Sequence, residues 1–398
     1  MNMKIKAIIH GIIPAFLLAV SVGQIYAFTN FSGYISDFII QPLSTVQLAF
    51  SFGIFFLGMG AAFFGKIVER NIKLSTIIGT ALFITGLCVS ALSIELKSIW
   101  LLYIGYGLLI GLGTGVIYIS PVKTMMMWYP NHKFLASAIP IIFFGLGSTF
   151  STLVFPALIQ TGISKVFYYY ALIYLLMMLP AIFLLKKPID ELKLQEFNPV
   201  SFSYRELLRD RFFIHSWLFM FLNISAGLCM IPLARQMMQK SSIGYSFAII
   251  TWIISLAGLF NGGGRFVFAF ISDRLNKKID IVGYILGISL ITTICCLLYQ
   301  PVIGIAFLII NACYGAGFSV IPGILSNHYG MNNISKIHGA VLSAWGFAGL
   351  FGNQIAIMFS EKLNFGNGGV IVLLIAMYAI NLMNFFLMKA NYERKFNN

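Results

Sequence analysis

Apolar runs of about 20 residues recur along the whole chain, separated by short polar breaks. They fall at 8–29, 46–65, 74–94, 98–127, 134–159, 166–185, 212–234, 245–271, 280–299, 302–326, 337–359 and 368–388. A bilayer core about 30 Å thick is crossed by a helix of about 20 apolar residues, which satisfies its own backbone hydrogen bonds. Barrel strands would be about half that length and would alternate. The pattern therefore predicts an all-α membrane protein with twelve transmembrane helices. Several runs exceed that length, which permits tilt without setting an angle. The leading MNMKIK enters the first run directly. A cleaved signal would show a shorter apolar core and a small-residue cleavage site, so this run is expected to be the first helix.

Composition agrees with the pattern. The chain has 398 residues, 59% of them hydrophobic and 10% charged, and a mean hydropathy of +0.90. A soluble domain carries about 25% charged residues, so this chain has too few to cover a globular surface. The net charge of +14 would suggest nucleic acid in a soluble protein. Here the basic residues lie between the apolar runs, and topology accounts for them. With both termini inside, 19 of the 26 Lys and Arg fall in cytoplasmic segments and 5 in outer loops. That asymmetry predicts an inner-membrane protein with both termini cytoplasmic. Lipid is then the expected partner, with no nucleic acid and a monomeric state. The five cysteines all lie in apolar runs without metal-ligand spacing, so no metal, cofactor or disulfide framework is expected.

The longest polar stretch, 186–211, has mixed charge and two prolines, Pro188 and Pro199. It reads as a linker between a six-helix half at 1–185 and another at 212–398. The halves echo each other. GKIVERNIK (Gly65 to Lys73) follows the second run and AFISDRLNKK (Ala269 to Lys278) follows the eighth, with Glu69-Arg70 and Asp273-Arg274 204 residues apart. GLGTGVIYISP (Gly111 to Pro121) has a counterpart in GAGFSVIP (Gly315 to Pro322). Duplication at this distance fits transporter halves related by an axis along the membrane normal. An acid-base cluster at a helix end ties termini together, so Glu69, Arg70, Asp273 and Arg274 read as gating or structural groups. Glycines crowd the fourth, fifth, tenth and eleventh runs, which suits either static close packing or helices that slide.

Arg265 is the most expensive residue in the chain. No charge occurs in the 24 residues before it, and the next is Asp273. An Arg at membrane depth costs about 2.5–3.5 kcal/mol on insertion scales. All twelve Asp and Glu fall in loops or at run ends, which favours a solute anion as its partner over a buried acid. Its planar fork matches a carboxylate. Lys123 is the other cation within a run, five residues before Trp128. It reads either as a lysine reaching for the headgroups or as a possible second cation for the solute. Gln24, Tyr26, Asn30, Gln47, Tyr118, Asn261, Tyr314, Asn353 and Gln354 are amides and aromatics at mid-run positions. As a set they suit a small carboxylate. His10 and His338 lie near run ends. Without an intramembrane carboxylate relay, exchange or facilitated diffusion is expected, or a proton that travels with the solute. No metal cluster or nucleophile-base pair points to an enzyme.

The loops after the second and eighth runs resemble the major facilitator loop signature, Gly-x-x-x-Asp-Arg-x-Gly-Arg-Lys. Glu69 replaces its Asp, Asn71 and Asn276 replace a Gly, and Ala269 replaces the leading Gly. More closely, the chain resembles the oxalate/formate antiporter family of that superfamily, near the monocarboxylate transporters. The pieces that carry this are IYAFTNF, TVQLAF, GVIYISP, WYPNHKFLASA and above all NGGGRFVFAFISDR. The resemblance implies the major facilitator fold of two six-helix halves, which rock about a midplane site. It implies Arg265 as the substrate-binding arginine and Tyr26, Gln47 and Tyr118 as cavity residues. Tyr314 falls where the family's oxalate transporter has a tryptophan, and Phe144 and Phe318 where it has tyrosines.

One departure bears on the substrate. That oxalate transporter pairs the arginine with a lysine in helix 11, and the position here is Trp345, in a run without any cation. One deep charge balances a monoanion better than a dianion. The expectation is a transporter for a small monocarboxylate such as formate, lactate or pyruvate. Oxalate/formate exchange stays open through Lys123, and a transporter-like nutrient sensor is the reading from another class.

Overall fold

A computed structural model describes residues 3–188, 202–231, 234–358 and 366–397. Half of the expected linker, 189–201, falls outside them. Each of the twelve apolar runs holds a helix among the described residues. We number these α1 (Met3–Ile39), α2 (Leu43–Arg70), α3 (Ile72–Glu95), α4 (Ile99–Trp128), α5 (Lys133–Ile159) and α6 (Ile163–Leu184). They continue as α7 (Arg211–Met230), α8 (Phe247–Arg274), α9 (Asp280–Leu298), α10 (Ile303–Tyr329), α11 (Ile334–Ile357) and α12 (Gly366–Asn397). Short turns of helix at Tyr204–Leu207 and Ala234–Gln239 flank α7. No strand occurs among the described residues. Many large apolar side chains lie bare on the outer helix faces, among them Phe63, Leu153, Trp252, Leu259 and Met383. Water would penalise such a surface, and lipid does not.

Polar side chains at the run ends start the helices. The Leu74 amide donates to Asn71 Oδ1 at 3.0 Å, and the Phe212 amide to Asp210 Oδ1 at 2.8 Å. Ser98 and Ser246 do the same for α4 and α8 at 3.4 Å. These are N-caps, which satisfy amides that the first helical turn leaves open. Asn71 thus has a clear use directly after the Glu69-Arg70 pair, as the cap of α3. Two helices depart from α geometry within the bilayer-length run. The first has a π turn at Ile8–Ile12 and a 3-10 turn at Gln24–Ala27, and the fourth has π turns over Tyr103–Ile110. Such irregular turns recur at functional sites.

Contacts gather the chain into two compact units. One is Met1–Ser201 with Tyr329–Gly346; the other is Phe202–His328 with Phe347–Asn398. Glycines let helices meet at backbone distance in both. In the first unit, a Cβ on Gly115 would lie 2.1 Å from the Leu57 carbonyl oxygen, and one on Gly339 2.1 Å from that of Ala61. Those contacts press α4 and the start of α11 onto α2. In the second, a Cβ on Gly264 would lie 2.1 Å from the Ala312 carbonyl oxygen, and one on Gly315 2.2 Å from that of Asn261. They join α8 to α10 around Arg265.

Candidate functional site

In the first unit an aromatic cluster forms where α1 breaks. Gly23 ends the α segment before the 3-10 turn, and its missing Cβ would lie 2.0 Å from the Phe144 carbonyl oxygen. Gly147 meets Val20 of α1 in the same way, at 2.3 Å. Two glycines thus draw α1 onto α5 at the point where the turn presents Tyr26. The Tyr26 ring lies 5.5 Å from Phe144 and 6.3 Å from Trp345, stacked on the latter. Tyr118 of α4 meets Phe144 at 5.3 Å and Trp345 at 5.6 Å, both edge to face. Trp345 reaches this cluster because Gly58 and Gly346 let α2 and α11 touch. Tyr26 is half-buried, and the other three rings are buried. Four sequence-predicted residues from α1, α4, α5 and α11 therefore make one aromatic face.

Gln47 sits differently. It is exposed near the start of α2, one turn before Phe50, whose ring meets Tyr26 at 6.2 Å. Phe50 belongs to the aromatic face, and nothing in its apolar sequence context singled it out. Asn30 donates to Thr152 Oγ1 at 2.7 Å, a helix-helix bond between α1 and α5. The side chains of Asn353 and Gln354 lie outside the described residues.

In the second unit Arg265 is 6% exposed. Its guanidinium lies over the Phe318 ring, 5.6 Å from the centroid, and Phe318 meets Tyr314 edge to face at 5.5 Å. A cation over an aromatic face gains about 0.5–2 kcal/mol, more as water is excluded. Asn261, one turn before Arg265, donates to the Asn311 carbonyl at 3.2 Å. With the Gly264 and Gly315 contacts, that bond sets the register of α8 on α10. Tyr314 is held from its other side by Gly227 of α7, where a Cβ would lie 2.6 Å from its ring. Asn223 of α7 donates to the Tyr314 carbonyl at 3.5 Å, and its buried Oδ1 has no hydrogen-bond partner. Asn223 escaped sequence analysis because one amide in an apolar run is ordinary.

Lys123 needs a correction. It does not extend to the surface: it is 1% exposed and ion-paired with Glu69. The apolar run ends at residue 65, but α2 continues to Arg70, which carries Glu69 into the helix packing at 14% exposure. Glu69 also accepts the Ser335 amide at 2.9 Å, at the first turn of α11. Its backbone carbonyl takes Lys187 Nζ at 3.3 Å. Glu69 therefore ties α2, α4 and α11 together, and the Lys123 charge is balanced on the spot. Arg70 is exposed. The second acid-base pair has other contacts. Arg274 lies on the Phe270 ring at 3.4 Å and donates to its carbonyl, while Lys278 donates to the Asp273 carbonyl at 2.7 Å. The two loop sequences match more closely than their bonding does.

The start of α11 brings a second correction. The helix begins at Ile334, three residues before the apolar run, so it includes Lys336, which is 5% exposed. The eleventh helix thus has a buried cation, although nine residues, or about 13.5 Å of helix, separate it from Trp345. The same shift places His338 a full turn inside the helix, where it is buried, with its ring 6.3 Å from Tyr118. Hydropathy places run ends where charge appears, and here the helix carries charge inward. Among the described residues no group of His, Cys, Asp and Glu could hold a metal ion.

Comparison with known proteins agrees with this architecture. The chain is 28% identical over 347 residues to the uncharacterized MFS-type transporter YhjX of Escherichia coli (strain K12), covering 83% of each chain. It is 22% identical over 382 residues to the oxalate:formate antiporter of Oxalobacter formigenes, covering 94% of this chain and 90% of that one. Among solved structures, a bacterial homologue of the iron transporter ferroportin superposes with a TM-score of 0.76 at 12% identity. That match covers 98% of this chain and 100% of the other, a likeness of fold. These proteins are transporters, not enzymes. The Major Facilitator Superfamily profile matches residues 12–353, and the chain belongs to that superfamily of secondary transporters.

Proposed function

We propose that this transporter carries a small organic anion across the cytoplasmic membrane by alternating access, and that the solute is a monocarboxylate such as formate, lactate or pyruvate. The observation that carries this reading is Arg265, a buried guanidinium mounted on the Phe318 face and held in register by backbone-distance helix contacts. It takes the carboxylate through its fork, beside Phe318 and Tyr314 of its own unit; in the first unit, Tyr26, Tyr118, Phe144 and Trp345 offer an aromatic face for the small body of such a solute. The pairing of Lys123 with Glu69 supports one charge over two, because that ammonium already has its counter-ion. Trp345 standing where a dianion transporter would need a lysine supports it further. The loop-charge asymmetry supports both termini on the cytoplasmic side.

A thermal-shift panel of carboxylates on purified protein tests the proposal. A ligand at 100 times its dissociation constant stabilises by about 2.7 kcal/mol. Formate, lactate or pyruvate is expected to raise the melt, and Arg265→Gln to abolish the rise. An unchanged response in that variant refutes the role of Arg265. The second reading, oxalate/formate exchange, is favoured by the near full-length similarity to the Oxalobacter antiporter. A shift with oxalate and none with the monocarboxylates would select it.

A further inference from the structure

We infer that His338 is a solute-contacting group on the aromatic face of the first unit, and that its Nε2 takes up a proton as the carboxylate binds. The inference rests on the carboxylate-transport reading above and names the proton coupling of that transport.

His338 is 2% exposed, and its Nε2 has no hydrogen-bond partner. A buried polar atom of this kind is uncommon and calls for a reason. Its setting supplies one. Its ring lies beside Tyr118, which meets both Phe144 and Trp345. Seven residues separate His338 from Trp345, two helical turns, so both project from the same face of α11. Gly339 fixes this face against α2, since its Cβ would strike the Ala61 carbonyl oxygen. The imidazole thus belongs to the same aromatic face as Tyr26, Tyr118, Phe144 and Trp345.

Three other described histidines have partners elsewhere. His10 Nδ1 is bonded to the Leu184 carbonyl at 2.9 Å, His215 Nδ1 to Asn384 Oδ1 at 2.7 Å, and His328 is stacked on Phe212 at 4.0 Å. The charged groups on the elements around His338 lie toward helix ends, and Lys123 is matched by Glu69. From α2 come Glu69 with Lys66 and Arg70, from α4 Lys123 and Tyr118, and from α11 itself Lys336. At their first turns, α1 adds Lys4, Lys6 and His10, and α5 adds Lys133. Glu69 is committed to Lys123 and to the Ser335 amide, one turn before His338. A charge buried without a counter-charge is costly, so an imidazolium here is held best when a carboxylate accompanies it. The proton comes from water on binding, is bonded to Nε2 in the complex, and returns to water on release.

Equilibrium binding of formate, lactate, pyruvate and oxalate to the purified full chain tests this across two pH units around neutrality, where all four stay ionised. Wild-type affinity is expected to rise as pH falls, approaching tenfold per unit, the limit for one linked proton. His338→Gln and His338→Asn keep a polar side chain that does not titrate, and their affinity is expected to be independent of pH. In weakly buffered solution the wild type is expected to take up one proton per carboxylate bound. A purely structural histidine would move the unliganded melt and leave the pH slope intact. A wild type without proton uptake, or a variant that keeps the slope, overturns the role of His338 while leaving carboxylate transport standing. If none of the anions binds the wild type at any pH, the transport reading falls and His338 with it.

Discussion

Replacing Glu69 by Gln probes the buried ion pair in the first unit. Gln keeps the volume and an acceptor for the Ser335 amide, so the main loss is charge. Lys123, at 1% exposure, is then left without a counter-ion among packed helices. Breaking one side of a buried pair costs about 3–5 kcal/mol. Glu69 is 14% exposed and partly reachable by water, which places the expected loss near the lower end, about 3 kcal/mol. Weakening the charge-assisted bond from Ser335, 2.9 Å in the wild type, adds about 1 kcal/mol. Lys123→Met alone is milder, because Glu69 keeps Ser335 and some water. In the double variant a neutral Gln–Met pair replaces the ionic one, and no uncompensated charge stays buried. The cycle is therefore expected to show a coupling of about 2–3 kcal/mol, with Lys123→Met restoring most of what Glu69→Gln loses. Thermal unfolding read by a thiol-reactive dye suits the protein, since Cys229, Cys296 and Cys313 are buried. Lys277→Met is the control. Its partner Glu393 lies at 3.0 Å, but both are well exposed, so the loss should stay within about 0.5 kcal/mol. A Glu69→Gln protein that melts with the wild type, or a double variant no better than the single, refutes the reasoning.

Three further outcomes are expected. Gly264→Ala forces a Cβ to 2.1 Å from a backbone oxygen and should cost about 1–3 kcal/mol or more, with loss of anion binding; Gly263→Ala meets nothing within 4 Å and should melt at or above the wild type. Trp345→Lys should move the thermal-shift preference from monocarboxylates toward oxalate, and an unchanged ranking would separate the residue from charge selection. Arg265→Lys keeps the charge but loses the planar fork, so carboxylate affinity should fall at least tenfold, read by the same titration; wild-type affinity in that variant would leave charge alone as the requirement.

The helices and their order were legible because membrane insertion is a local constraint. Each run must satisfy its own backbone in lipid, so length and hydropathy report it directly. Arg265 was legible for the same reason, as a charge where charge is expensive. Ion pairing was harder to read. Glu69 stands after its apolar run, and nothing local shows that α2 continues far enough to bring the carboxylate to Lys123. His338 was assigned to a run end because α11 starts earlier than its apolar stretch, with Lys336 inside. Phe50 and Asn223 carry no signal against an apolar background.

The amino-acid sequence by itself therefore determined the twelve spans, the candidate anion anchor and the glycines that let helices touch. Only the tertiary structure decided which polar groups meet: Lys123 with Glu69, Trp345 with Tyr26 and Tyr118, and His338 with the aromatic face. The physical reason is range. Solvation by lipid acts on each residue where it stands, whereas pairing depends on helices distant in sequence, brought to backbone distance by glycines whose partners no single run contains.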